Sequence, residues 1–218
     1  MPSVVVVGAS RGIGREFVRH YAEAGWQVFA TVRQAAGDLG DGVTELIADV
    51  TDEASLQSAA AAVPDAIDLL ILNAGVGARE MNLASIDAAA WPHIMATNAL
   101  GPLLAARALG PKVRDGGTIV ALSSTLGSIA ANTGGGLYSY RMSKAALNAG
   151  MKTLAIELRR RRIAVAVLHP GWVKTDMGGA GAEVEVADSV AGLTRVIAGL
   201  TAEASGAFLD YRGNALPW

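Results

Sequence analysis

The chain contains no cysteine. That absence excludes disulfides, thiolate metal ligands and a cysteine nucleophile together. Charge is scarce as well: 17% of residues are charged and the net charge is −2, which gives no basic field for nucleic acid and no polybasic patch for a membrane surface. Long apolar runs are also missing. The opening MPSVVVVGAS has no charged leading region, and its apolar stretch is too short for a signal peptide. Residues 116–140 carry no charge over a length that could span a bilayer, but glycine, serine, threonine and asparagine crowd them. Such a segment reads as strand and loop rather than membrane helix, so a cytoplasmic protein without a membrane span is expected. What is plentiful is apolar side chain, 51% of 218 residues. That rules out disorder and is enough for one sizeable α/β domain with a full core.

Short β-rich runs alternate with helical patterns. VVVV (4–7), WQVFATV (26–32), VTELIA (43–48), IDLLIL (67–72), GTIVALS (117–123), IAVAVLH (163–169) and GAFLDY (206–211) read as strands. Residues 12–24, 52–62, 87–112, 138–160 and 187–200 have helical composition and spacing. Near-continuous apolar strands separated by helices predict a doubly wound parallel sheet of about seven strands, covered on both faces. No linker or repeat divides the chain, so residues 1–218 are expected to form a single domain. Sheets of this kind bind ligands beyond the carboxyl ends of their strands.

The first such end is GASRGIGREF, where Gly8, Gly12 and Gly14 enclose Ser10, Arg11 and Ile13 and open a helix. Glycine lets the backbone turn tightly and approach a pyrophosphate, whose charge then sits at a helix N-terminus. A purely structural turn is the alternative, but the strand before it and the helix after it are the required context. The spacing is not that of a P-loop. After the second strand, ATVRQ places Arg33 where a carboxylate would bind a ribose 2′-hydroxyl and a base would bind a 2′-phosphate. With Arg11 as a second guanidinium and no competing acid, this favours NADP(H), with NAD(H) as the weaker fit. In ADVTD, Asp49 could accept from an adenine amino group and Val50 flank the ring; alternatively Asp49 or Thr51 caps the next helix.

The stretch GGGLYSYRMSK (134–144) holds two tyrosines and one lysine. On a helix, residues four apart share a face, whereas residues two apart point roughly 200° apart. Tyr140 and Lys144 can therefore meet at one site, and Tyr138 must look elsewhere. The three histidines mark no Ser/His/Asp or metal constellation, and His169, His20 and His93 read as packed or ordinary helical residues.

GASRGIG, ADV, LNAG (72–75), Asn98 in MATNALG, LSS (122–124), YRMSK and HPGWVKTDM (169–177) follow one another in an order that resembles the short-chain dehydrogenases/reductases. The resemblance covers essentially the whole chain. Within that family, SIAANTGGGLYSYRMSKAALN, HPGWVKTDMGG and FLDYRGNALPW resemble the C-factor-like, sniffer-related carbonyl reductases. Val7 departs from a common threonine, the connection after Arg33 is short, and the gap from Ser124 to Tyr140 is a few residues longer than usual.

The resemblance implies a Rossmann-like fold and an oxidoreductase that reduces an aldehyde or ketone. The nicotinamide would donate hydride and Tyr140 the proton. Lys144 would lower the tyrosine pKa and hold the nicotinamide ribose, with Asn98 helping to hold Lys144 through a water. Ser124 would grip the carbonyl oxygen; adjacent strand residues face opposite sides, and Ser124 stands three before Gly127. Asn73, Ala74 and Gly75 would border the cofactor. Pro170 and Gly171 would turn the chain so that the backbone of Val173 and the hydroxyl of Thr175 hold the carboxamide. Trp172, Met177, Leu126 and residues 132–136 would wall the pocket, and GGAGAE (178–183) would form a mobile lid. Helices 87–112 and 138–160 would pair across a two-fold in a homodimer or homotetramer. The alternative is a nucleotide-sensing or signalling protein whose output is binding a partner, with no nucleic acid in either case.

Overall fold

The computed structural model describes every residue except Asp38 and Arg79. Strand β1 (Ser3–Val7) is a serine followed by four valines, all buried. Their branched side chains favour the pleated conformation and suit a position deep in a sheet. Around it run β2 (Gln27–Val32), β3 (Val43–Ile47), β4 (Ile67–Leu72), β5 (Val113–Leu122), β6 (Ala164–His169) and β7 (Ala207–Asp210). They form one seven-stranded sheet in the order β3-β2-β1-β4-β5-β6-β7, with every pair parallel. The pleat sends alternate valines of β1 to opposite faces: Val5 and Val7 join one core, Val4 and Val6 the other.

Helices α2 (Glu53–Ala62), α4 (Gly101–Leu109) and α5 (Tyr138–Glu157) cover the first face, where Leu56, Leu109, Leu147 and Met151 meet Leu70 and Ile119. Helices α1 (Gly12–Glu23) and α6 (Val186–Ala198) cover the second, with Phe17, Leu193 and Ile197 packed on Leu69 and Ile71. Because all strands run one way, the segments after β1 to β6 emerge at a single edge of the sheet. No helix among the described residues is long and apolar enough to cross a membrane.

Two expected boundaries shift. Strand β5 begins at Val113 rather than 117, and its pairing with β4 carries an irregularity between Ile67 and Leu69. Residues 115–117, DGG, are absorbed into the strand as a bulge, with Gly116 at φ +74. The helix expected over 87–112 is instead α3 (Trp91–Met95), a π-helical turn (Ala96–Leu100), α4 and a 3₁₀ turn (Gly110–Lys112). Pro102 has no N–H to give the carbonyl of Asn98 four residues earlier, so the regular ladder fails at that point.

Candidate functional site

At the shared edge lies a cleft of about 470 Å³. Gly8, Ser10, Arg11, Gly12 and Ile13 line one side, with Arg33, Asp49 and Val50 at one end. Asn73, Ala74 and Gly75 form the floor; Tyr140 and Lys144, then Pro170 and Thr175, complete the far side. Gly8 has φ +87, and a Cβ there would stand 2.7 Å from the backbone of Ala74. At Gly14 a Cβ would meet the Gly8 carbonyl at 2.1 Å, so the turn and helix close only with hydrogen at both positions. Asn73 fastens the turn to β4 by donating from Nδ2 to the Gly8 carbonyl at 2.6 Å. Helix α1 starts with no side-chain cap and no acid in its first turn. Its free N–H groups and positive pole thus face the cleft, which suits a pyrophosphate.

At the other end, Asp49 Oδ1 accepts from the backbone N–H and the hydroxyl of Thr51 at 2.8 and 2.7 Å. The capping task falls to Asp52, which accepts from Ala54 N–H. Against the cost of its partial burial, the Thr51 bonds and the charge of Arg33 hold Asp49 below the usual carboxylate range.

Helix α5 brings the proton-carrying groups together. The Ser124 hydroxyl stands by the Tyr140 phenol and favours its ionised form, while its Oγ accepts from the Leu126 N–H at 3.1 Å. Lys144 Nζ lies 5.8 Å from the centroid of the Tyr140 ring and donates to the Leu122 carbonyl at 2.8 Å. The expected lowering of the tyrosine pKa is not produced by these groups alone. Burial pushes Tyr140 up to about 12, opposed by the Ser124 hydroxyl, and pushes Lys144 down to about 8. Both shifts disfavour the charged form, as a low-dielectric setting requires. Tyr138, two residues earlier, is 36% exposed and outside the cleft lining.

Asn98 is buried in the π-helical turn, and its side chain is spent on bracing. Its Oδ1 accepts from Val76 N–H at 2.7 Å, while Nδ2 donates to the Val76 carbonyl at 2.8 Å and to Ser143 Oγ at 3.1 Å. It thereby ties the end of β4 to α5 one residue before Lys144, without bonding Lys144 directly. Ser123 donates to Asn148 Oδ1 at 2.6 Å, and Asn148 Nδ2 reaches the Gly127 carbonyl at 3.3 Å. Ser123 is thus held structurally and Ser124 is left to Tyr140. Asn148, four residues beyond Lys144, braces this turn and was not expected from sequence.

Gly14, Asn98, Ser124, Gly171 and Val173 are not among the residues that line this cleft. Val173 is buried and bridges to Val184; Trp172 turns outward, donating its indole N–H to the Gly178 carbonyl at 2.8 Å. Met177 does line the cleft. So do His93, Thr97 and Asp176, which sequence reasoning passed over. Thr97 Oγ1 is buried with no partner among the described residues. The four-residue spacing of His93 and Thr97, the same as that of Tyr140 and Lys144, was the available signal. The donor set, the bare helix pole and the glycine cradle fit a nicotinamide dinucleotide.

Comparison with known proteins points the same way. A family model described as short chain dehydrogenase matches residues 2–185. C-signal of Myxococcus xanthus is 46% identical over 154 residues, covering 70% of this chain and 93% of that protein. The structure of the carbonyl reductase Sniffer of D. melanogaster superposes with a TM-score of 0.92 at 30% identity, covering 100% of both chains. The NADPH-bound carbonyl reductase from chicken fatty liver gives 0.91 at 34% identity, covering 100% of this chain and 99% of that one.

Proposed function

The chain belongs to the short-chain dehydrogenase family, and from that premise we propose that it reduces an aldehyde or ketone to the alcohol with NADP(H). The observation that carries this reading is Tyr140 with Lys144 Nζ 5.8 Å from its ring centroid, both on the wall of the dinucleotide cleft. The cofactor supplies hydride when bound. The glycine turn and the α1 pole hold its pyrophosphate, Arg33 and Arg11 its 2′-phosphate, and Thr175 with the segment from Pro170 its nicotinamide end. Ser124 and Tyr140 donate to the carbonyl oxygen and orient it. As negative charge grows on that oxygen, the Tyr140 hydroxyl gives up its proton to it, and the cation of Lys144 stabilises the tyrosinate left behind. Burial keeps the phenol protonated at neutral pH, and its proton leaves only as nearby positive charge, here that of Lys144, offsets the cost of the tyrosinate. The NADP-bound carbonyl reductases among the structural neighbours support the choice of cofactor. We also infer that two copies pair over the π-helical turn, α4 and α5, where Leu100 on the turn and Met142 and Ile156 on α5 are more than half exposed; light scattering would read the mass.

The test is NADPH consumption by purified wild type, Tyr140→Phe and Tyr138→Phe over aldehydes, ketones and quinones, with NADH in parallel. Tyr140→Phe should lose roughly 10²–10⁴-fold in kcat, the usual range for a general acid, and still bind NADP⁺. Tyr138→Phe should stay within a few-fold of wild type. Turnover indifferent to Tyr140→Phe would overturn the assignment. Cofactor binding without turnover across the panel would favour the partner-binding alternative.

A further inference from the structure

The reading above gives the Arg11 guanidinium to the cofactor's 2′-phosphate beside Arg33. In the structure that guanidinium is held elsewhere. Its Nη1 donates to Asp176 Oδ2 at 2.8 Å, in a pair whose side chains are 74% and 77% exposed. Arg11 belongs to the turn after β1 and Asp176 to the segment after β6, and both line the cleft. The two walls are already in touch beside this pair, because a Cβ at Gly12 would stand 3.3 Å from Thr175 Cγ2. The ion pair therefore closes over the ground that a dinucleotide must enter. The neighbouring cation Lys174 is engaged by Glu185 and is not an alternative counterion for Asp176.

We propose that Asp176 and the cofactor's 2′-phosphate compete for Arg11, so that Asp176 sets how strongly the chain prefers NADP(H) over NAD(H). This rests on the reading of Arg11 as a phosphate ligand. An exposed ion pair shifts an equilibrium by about fivefold at most. A guanidinium and a phosphate make paired, charge-assisted hydrogen bonds that are stronger, so the phosphate wins and the carboxylate exacts only a modest toll. A cofactor without the 2′-phosphate has nothing to draw Arg11 away and leaves the pair intact. Asp176 thus weighs against one cofactor and not the other, which is how a repulsive element tunes specificity. Among the described residues no carboxylate forms an ion pair with Arg33: its acidic neighbour, Asp49, has both Thr51 donors on Oδ1.

The experiment is calorimetric titration of the whole chain with NADP⁺ and with NAD⁺, for wild type, Asp176→Asn, Arg11→Ala and the double variant. Thermal melts accompany each to confirm folding. Asp176→Asn should tighten NADP⁺ by about two- to fivefold, the worth of an exposed pair, and leave NAD⁺ within error. The gain should vanish in the Arg11→Ala background. If Arg11→Ala weakens NADP⁺ while Asp176→Asn changes nothing, the competition is overturned and the phosphate reading stands. Equal changes for both cofactors, or weaker NADP⁺ binding in Asp176→Asn, would also overturn it and would mark Arg11 as a bridge between phosphate and carboxylate. An unchanged NADP⁺ affinity in Arg11→Ala would remove the premise itself.

Discussion

Burial governs the protonation of the two groups that Tyr140 and Lys144 contribute. With Lys144 down at about 8 and Tyr140 up at about 12, the lysine is the group that titrates first on the alkaline side. Its cation is present below that pH and lost above it, so carbonyl reduction should fall as pH rises past about 8 while the phenol still holds its proton. A kcat–pH profile of wild type should show this limb, and Lys144→Met should be slow and flat across it. A limb that persists in Lys144→Met would assign it to another group. His169 gives a second, separate window. Burial holds it down to about 4 against an ordinary value of 6.5, with Asp210 pulling the other way. An unfolded chain takes up the proton near 6.5 and the folded one only near 4, so stability is full above 6.5 and declines as pH falls between those values. The full loss is about 3 kcal/mol. The buried Nδ1 has no hydrogen-bond partner among the described residues that would soften it. In urea melts at pH 7 and pH 4.5, His169→Leu should show a smaller difference than wild type; an equal difference would relocate the acid sensitivity. Of these residues, the Tyr140–Lys144 pair was legible because both lie on one helical face. Asp176 and Asn148 were not, since each acquires its role from a partner distant in sequence.

At the scale of elements, the first turn of α5 decides where Tyr140 points. The residue before it, Leu137, sits in the left-handed region at φ 50 and offers no side-chain cap. Its N–H donates to the Glu80 carbonyl at 2.7 Å, and Ser139, fully buried, donates its hydroxyl to the Glu80 carboxylate. Glu80 is itself 5% exposed and places negative charge at the positive pole of a 20-residue helix. Glu80→Ala strands the Ser139 hydroxyl, which costs about 1–3 kcal/mol for a buried donor. The melting temperature should fall, and kcat should fall more than the affinity for NADP⁺, because the helix start bears on the Tyr140 side of the cleft and not on the glycine turn or Arg33. Unaltered kcat with lowered stability would confine Glu80 to a structural part. None of this was readable in GGGLYSYRMSK, where the glycines signal a loop but not what anchors its end. The broken helix at 96–100 is a different case. Pro102 was visible in the sequence, yet the alanine-rich composition around it still gave a single helical window.

For the molecule as a whole, alternation of apolar strands and helices was enough to specify a parallel sheet, and direction alone then collects six strand ends at one edge. Composition could not show how the far end of the chain returns to that edge. Beyond β7, the backbone N–H of Leu216 donates to the Phe208 carbonyl at 2.8 Å, and the Trp218 ring packs on Phe208 with centroids 5.4 Å apart and planes tilted by 34°. The Trp218 carbonyl then accepts from Ile129 N–H at 2.7 Å, Ala130 N–H at 3.3 Å and Ser128 Oγ at 3.0 Å. Those three donors belong to the segment just after Ser124, so the outer edge of the sheet straps down the substrate side of the site and touches none of the cofactor walls. Trp218→Ala keeps the carbonyl but removes the ring that fixes it. At 42% exposure the ring is only partly buried, so the cost belongs below the range for core aromatics, about 1–2 kcal/mol. For a chain of this size that is roughly 2–8 °C in melting temperature. Turnover should separate the two halves of the site: KM for the carbonyl substrate rises and kcat falls as Ser124 loosens, while the dissociation constant for NADP⁺ holds. Loss of cofactor affinity in parallel would mean that the tail stabilises the whole sheet edge and has no particular hold on Ser124.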